Sequence, residues 1–130
     1  MAGYPSELRY TDKHVWVRPD GELVVLGITQ VAVDRLGAIG FVELPYPGEL
    51  FKAGKVICRV SGDTASAPIL LPLTVKVMDV NRALDGGAGR INDDPYGEGW
   101  MMRVEPGDMA EVEALMDADA YEAFVAEGAE

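Results

Sequence analysis

The sequence predicts a mainly β fold of short antiparallel strands with a few short helices and a helical C-terminus. Fifteen Gly and eight Pro are spread along the 130 residues instead of being blocked together, which suits many strands joined by tight turns better than a helical bundle. Val56, Cys58 and Val60 alternate with Ile57, Arg59 and Ser61, the period of a strand. From Asp108 onward the apolar residues fall at helical spacing instead. With 48% hydrophobic and 25% charged residues, the chain is long enough for one core and too short for two. A single domain over residues 1–130 is expected.

The elements follow in order. Leu8 to Val17 is expected to be one strand with a bend at Thr11, Asp12 and Lys13. Pro19-Asp20-Gly21 supplies a turn, because Pro presets φ and Gly tolerates a positive one, and Glu22 to Ile28 returns. Thr29 is placed to cap a short helix through Leu36 by accepting an orphan amide, and Gly37 to end it. Ala38 to Leu44 is a third strand, stopped by Pro45 and Pro47-Gly48, and Phe51 to Lys55 turns again. Val56 to Val80 then reads as a long hairpin, its second strand at Leu73 to Val80 and its tip at Ser61 to Pro68. Arg82 to Leu84 is one helical turn, Asp85 to Asp94 a glycine-rich loop, and Trp100 to Glu105 the last strand. Asp108 caps a helix from Met109 to Met116, and Asp119 opens another through Ala126.

Charge narrows the partners. A formal net charge of -11 disfavours nucleic acid, whose phosphates need a basic patch, and an anionic membrane surface. Met1 to Tyr10 has no apolar run of the secretory kind, and no stretch approaches the roughly 18 apolar residues of a spanning helix. Cys58 is the lone cysteine and reads as a small core residue, so a cytoplasmic location is expected. After Arg103 there is no basic residue while carboxylates recur to Glu130. That pattern is a solvated face or a docking surface for a basic partner. His14, the only histidine, has no second ligand at metal spacing, and no metal site is expected. Asp63, Thr64 and Ser66 have no nearby histidine base, so the tip is not read as a hydrolase centre.

Several stretches together resemble one family, the lipoyl-carrying H protein of the glycine cleavage system. They are Leu8 to Thr11 leading to His14-Val15-Trp16-Val17, Val25 to Thr29, Leu36-Gly37 with Phe41 to Pro45, Asn92 to Trp100 (NDDPYGEGW) and Asp117 to Phe124. The resemblance runs from Leu8 to Phe124 in register and implies a barrel-sandwich hybrid of small antiparallel sheets, related to lipoyl and biotinyl domains. It also implies a lysine at the hairpin tip, bearing an amide-linked lipoyl arm.

Counting back from Asn81 and Pro72, that lysine position falls on Thr64, whose hydroxyl cannot form the amide. The nearest amines, Lys55 and Lys76, lie nine and twelve residues away along the chain. The family's residues that hold the loaded arm are altered as well: the resemblance places them at Lys13, Val15 and Pro68. No lipoate cofactor is therefore expected. Pro68 to Leu73 is unusually apolar, and is read either as extra core or the cover of a neighbouring sheet, or, at Ile69, Leu70 and Leu71, as a surface covered by a second copy or another protein. Asp94, Tyr96 and Trp100 of the late loop complete the candidate partner surface.

The expected function is that of a homologue without a lipoyl group, a non-enzymatic interaction or regulatory module for glycine-cleavage or lipoylation enzymes. One alternative is a working aminomethyl carrier modified at an unexpected lysine; another is a repurposed small-ligand or catalytic domain.

Overall fold

A computed structural model gives the fold, and residues 5–127 are described. The expectations for residues 1–4 and for the carboxylate of Glu130 lie outside the described residues. The strands are β1 (Arg9–Tyr10), β2 (Val15–Asp20), β3 (Leu23–Ile28), β4 (Ile39–Glu43), β5 (Leu50–Phe51), β6 (Val56–Gly62), β7 (Ser66–Leu70), β8 (Val75–Val80) and β9 (Met102–Pro106). The helices are α1 (Gln30–Leu36), α2 (Arg90–Asp93), α3 (Met109–Glu113) and α4 (Ala118–Ala126), with a 3-10 turn at Arg82–Leu84. A six-stranded sheet has the order β1-β2-β3-β9-β8-β5, and a three-stranded one the order β4-β6-β7. Every pairing is antiparallel. Neither sheet closes into a barrel by itself.

Alternation decides what each sheet buries. Val15, Val17, Val24, Leu26 and Ile28 of the large sheet meet Val42, Val60 and Ile69 of the small one in a single apolar cluster. Burying such side chains stabilises the fold by about 1.5–3 kcal/mol each. Trp16 and Val25 point to the opposite face, where Leu8, Tyr10 and Tyr121 cover them. The indole N–H of Trp16 donates to the Pro95 carbonyl at 2.8 Å, so its one polar atom is satisfied inside that cluster.

The sequence places several boundaries correctly. The Thr29 side chain accepts from the Ala32 amide at the start of α1, and Gly37, at φ 84°, ends that helix. Others need correction. Leu8 to Val17 is a hairpin and not a bent strand, with Arg9 opposite Val17. Thr11 makes the reversal by accepting from the amides of Lys13 and Val15, and His14 adopts φ 65°. β5 was not anticipated. Asp85 to Asp94 contains α2, and α3 stops at Glu113. Asp117, not Asp119, caps α4 by accepting from the Ala120 amide.

The largest correction concerns the central hairpin. The return strand of β6 is β7, with Ser61 opposite Ser66 and Val60 opposite Ala67. The chain then crosses to the other sheet, where β8 pairs with β9 and β5. Ile69 and Leu71 consequently face the core and are buried, while Leu70 is half-buried. Ile69 and Leu71 cannot form a partner surface, and a homo-oligomer through this apolar run loses its basis.

Candidate functional site: the hairpin tip and the loop behind it

The turn from Gly62 to Ala65 joins β6 to β7, and Asp63, Thr64 and Ala65 are exposed. The amide of Gly62 donates to the Ala65 carbonyl at 2.8 Å, closing the turn. This turn is fastened to the end of α1. Asp63 N–H donates to the Ala38 carbonyl and Thr64 N–H to the Leu36 carbonyl, both at 3.0 Å. In return Ala38 N–H donates to the Asp63 carboxylate at 3.0 Å. The approach demands small residues. A Cβ on Gly37 would strike Asp63 Oδ1 and Thr64 Oγ1, and one on Gly62 would strike the Leu36 carbonyl.

Asn92 holds the other side of the same segment. Its side-chain amide donates to the Gly37 carbonyl at 2.9 Å and its oxygen accepts from Ile39 N–H at 2.7 Å. The hairpin tip, residues 37–39 and the start of the late loop are therefore braced into one unit by these hydrogen bonds.

Thr64, the expected counterpart of the lipoyl lysine, has an exposed side chain whose hydroxyl donates to Asp63 Oδ1 at 3.2 Å. It presents no amine, so lipoate cannot be amide-linked at this turn. Lys55 sits at the far end of β6, and Lys76 lies in β8 opposite Leu50 and Glu105. Both are exposed.

The three positions expected to hold an arm differ in burial. Val15 is fully buried in the main core, Lys13 is exposed in the reversal after β1, and Pro68 is exposed on the small sheet opposite Arg59. Sequence reasoning missed Phe41, which is 60% exposed. Register puts it in one row with Ser61 and Ser66, beside a row of Glu43, Arg59 and Pro68. An apolar residue at an outward strand position was the available signal.

The late loop is mostly spent on structure. Asp94 accepts from the Glu98 amide at 3.1 Å, and its carbonyl accepts from Gly97 and Gly99. The Tyr96 hydroxyl accepts from Gln30 N–H at 2.9 Å, satisfying an orphan amide at the start of α1. Trp100 lies 5.8 Å beneath the Arg103 guanidinium. Of the three, Asp94 alone is exposed, and Tyr96 and Trp100 are half-buried.

His14 belongs to a buried polar cluster. Its Nδ1 lies 2.6 Å from the Tyr121 hydroxyl, which lies 2.7 Å from Thr29 Oγ1, while an Arg35 guanidinium nitrogen is 3.3 Å from Nε2. Tyr121 also stacks on Tyr10 at 4.6 Å. The cluster fastens α4 to the start of α1. Among the described residues no group of three or more His, Cys, Asp or Glu is arranged to hold a metal ion. Cys58 is buried, and burial, with Glu43 nearby, pushes its thiol up to about 12. On α3 and α4 the carboxylates of Glu111, Glu113, Asp119, Glu122 and Glu127 are exposed, whereas Asp108 and Asp117 serve as caps.

Two antiparallel sheets around one core, holding out a short hairpin turn, define a lipoyl-domain-like scaffold. The comparisons then name the family. The glycine cleavage H-protein family model matches residues 8–128. The glycine cleavage system H protein of Anaeromyxobacter sp. (strain K) is 45% identical over 123 residues, covering 95% of this chain and 96% of that protein. That of Bacteroides thetaiotaomicron is 38% identical over 122 residues, covering 94% and 97%. A crystal structure of the Mycobacterium marinum protein superposes with a TM-score of 0.85 at 33% identity, covering 95% of this chain and 99% of that one. The chain belongs to the glycine cleavage H-protein family. Among the described residues no helix is long and apolar enough to cross a membrane.

Proposed function

We propose that this protein is an H-protein homologue without a lipoyl group, a cytoplasmic, non-enzymatic module that occupies a carrier's docking site on glycine-cleavage or lipoylation enzymes. The observation that carries the reading is the tip. The turn is built and braced, yet position 64 offers a hydroxyl bound to Asp63 where a lipoyl arm needs a primary amine. A retained scaffold preserves docking shape, and loss of the amine removes delivery. The replacements at Lys13, Val15 and Pro68 accord with this, since a lysine, a buried valine and a proline supply no carboxylate for a cationic cargo.

The contacting surface in this reading is the tip, the Phe41 row and the exposed Asp94 end of the late loop, linked through Asn92. The test is competition: the purified protein is titrated into an assay of glycine-cleavage enzymes supplied with a lipoylated H protein. Saturable inhibition relieved by excess carrier is expected, and failure to bind any of these enzymes contradicts the reading.

A second reading has its own observation. Lys52 and Lys55 bracket an exposed turn at Ala53-Gly54, where Lys55 N–H donates to the Lys52 carbonyl at 3.0 Å. Amines at such a turn are accessible to a ligase, so carriage of an aminomethyl group at an unexpected lysine is the competing function, and the mass of the native protein separates the two.

A further inference from the structure

We infer that the cavity between the 3-10 turn and the late loop is a binding site for the zwitterion of a free α-amino acid with an apolar side chain. Asn81, Ala83, Arg90, Glu98 and Trp100 line an open cavity of about 410 Å³, a size that suits a small molecule. Hydrogen bonds fix its walls. Asn81 is buried; its side-chain oxygen accepts from Ala83 N–H at 3.1 Å, and its amide donates to the carbonyls of Glu98 at 3.0 Å and Trp100 at 2.8 Å. Asp94 ties the remaining walls together: its N–H donates to the Arg90 carbonyl at 2.9 Å, and its carboxylate accepts from Glu98 N–H at 3.1 Å. The backbone around the cavity is therefore set before a ligand arrives, which lowers the cost of binding.

Charge selects the ligand. Among the described residues the Arg90 guanidinium and the Glu98 carboxylate make no hydrogen bond or ion pair, either with each other or with a third group. The neighbouring arginines are spent: Arg82 lies 3.8 Å from Asp85, and Arg103 lies 3.9 Å from Asp20 and 5.8 Å over the Trp100 ring. The Trp100 indole N–H also has no acceptor among the described residues, unlike that of Trp16. One cavity thus offers donors for a carboxylate, from Arg90 and Trp100, and an acceptor for an ammonium, from Glu98. A simple anion is repelled by Glu98 and a simple cation by Arg90. A zwitterion answers both, and the indole and Ala83 give its side chain apolar surface to cover.

Titration of the full chain with L-leucine, followed by the Trp100 indole N–H signal in nitrogen-edited proton NMR, tests this. Arg90 and Glu98 are exposed and water screens their charges, so a saturable shift in the millimolar range is expected. N-acetyl-leucine, which lacks the ammonium, and leucinamide, which lacks the carboxylate, should each bind about tenfold more weakly. Arg90→Ala and Glu98→Gln should each weaken leucine binding to a similar degree at unchanged far-ultraviolet circular dichroism, since neither side chain makes a hydrogen bond or ion pair that the fold would lose. A Trp100 signal that stays unshifted up to the solubility limit of leucine overturns the inference. Binding that survives N-acetylation or amidation unchanged, or that neither substitution weakens, overturns it equally.

Discussion

The backbone N–H of Thr64 donates to the carbonyl of Leu36 at 3.0 Å, so the hairpin turn rides on the last turn of α1 instead of standing free in solvent. Gly37 makes this approach possible. Its φ of 84° with ψ of -149° lies in a region that only glycine occupies comfortably, and a side chain there would meet Asp63 and Thr64.

Gly37→Ala should therefore destabilise the protein by about 1–3 kcal/mol, the usual range for a strained backbone position. The check is the urea midpoint together with hydrogen exchange. Faster exchange of the Asp63 and Thr64 amides, while those of β8 and β9 stay protected, is the expected signature of a released tip.

Tyr121→Phe keeps the ring stacked on Tyr10 and removes the hydroxyl that lies between His14 and Thr29. A loss of about 1–3 kcal/mol is expected for buried polar partners left short of a hydrogen bond. Exchange should quicken in α4 and at the start of α1 before the sheets respond.

The His14 to Tyr121 contact also marks where sequence reasoning ends. Local chemistry was legible: Thr29 and Gly37 bound α1 because a hydroxyl caps amides and a glycine accepts positive φ, and the tip turn falls inside the expected stretch from Ser61 to Pro68. Pairing was not. Val56 to Ser61 and Leu73 to Val80 both alternate, yet they lie in different sheets, because period-two alternation says which face is buried and not which strand is adjacent. Pro68, expected at the end of the tip, lies within β7, an edge strand of the small sheet, where proline is tolerated. The apolar run from Ile69 to Leu73 read equally as core and as a covered surface because its crossing between sheets was invisible, and Ile69, Leu71 and Leu73 are core. Contacts across 107 residues, such as His14 with Tyr121, leave no periodic trace, and neither does the clasp of Asn92 on residues 37–39.

Cys58 gives a pH prediction. Burial raises its thiol from 9.0 to about 12, so the unfolded chain loses that proton first as pH rises. Its contribution to stability is fully present below pH 9 and is lost progressively between about pH 9 and 12. Denaturation of wild type and Cys58→Ala across this window should show the wild type alone carrying that extra decline. At pH 8 the native thiol should resist alkylation and react once unfolded.

Thr64→Lys tests the tip as a lost acceptor. The side chain is exposed, so stability should change by no more than about 0.5 kcal/mol. Incubated with a lipoyl ligase, the variant should gain one lipoyl increment mapped to position 64, while the wild-type tip gains none. An unmodified variant would mean that ligase recognition was lost along with the lysine.

The central claim, a glycine cleavage H-protein scaffold that carries no lipoyl arm, is tested most directly by intact mass and peptide mapping of the protein purified from its own cells grown with lipoate. The account predicts an unmodified chain. A lipoyl-sized increment mapped to Lys55, Lys76 or any other lysine would contradict it and restore the carrier.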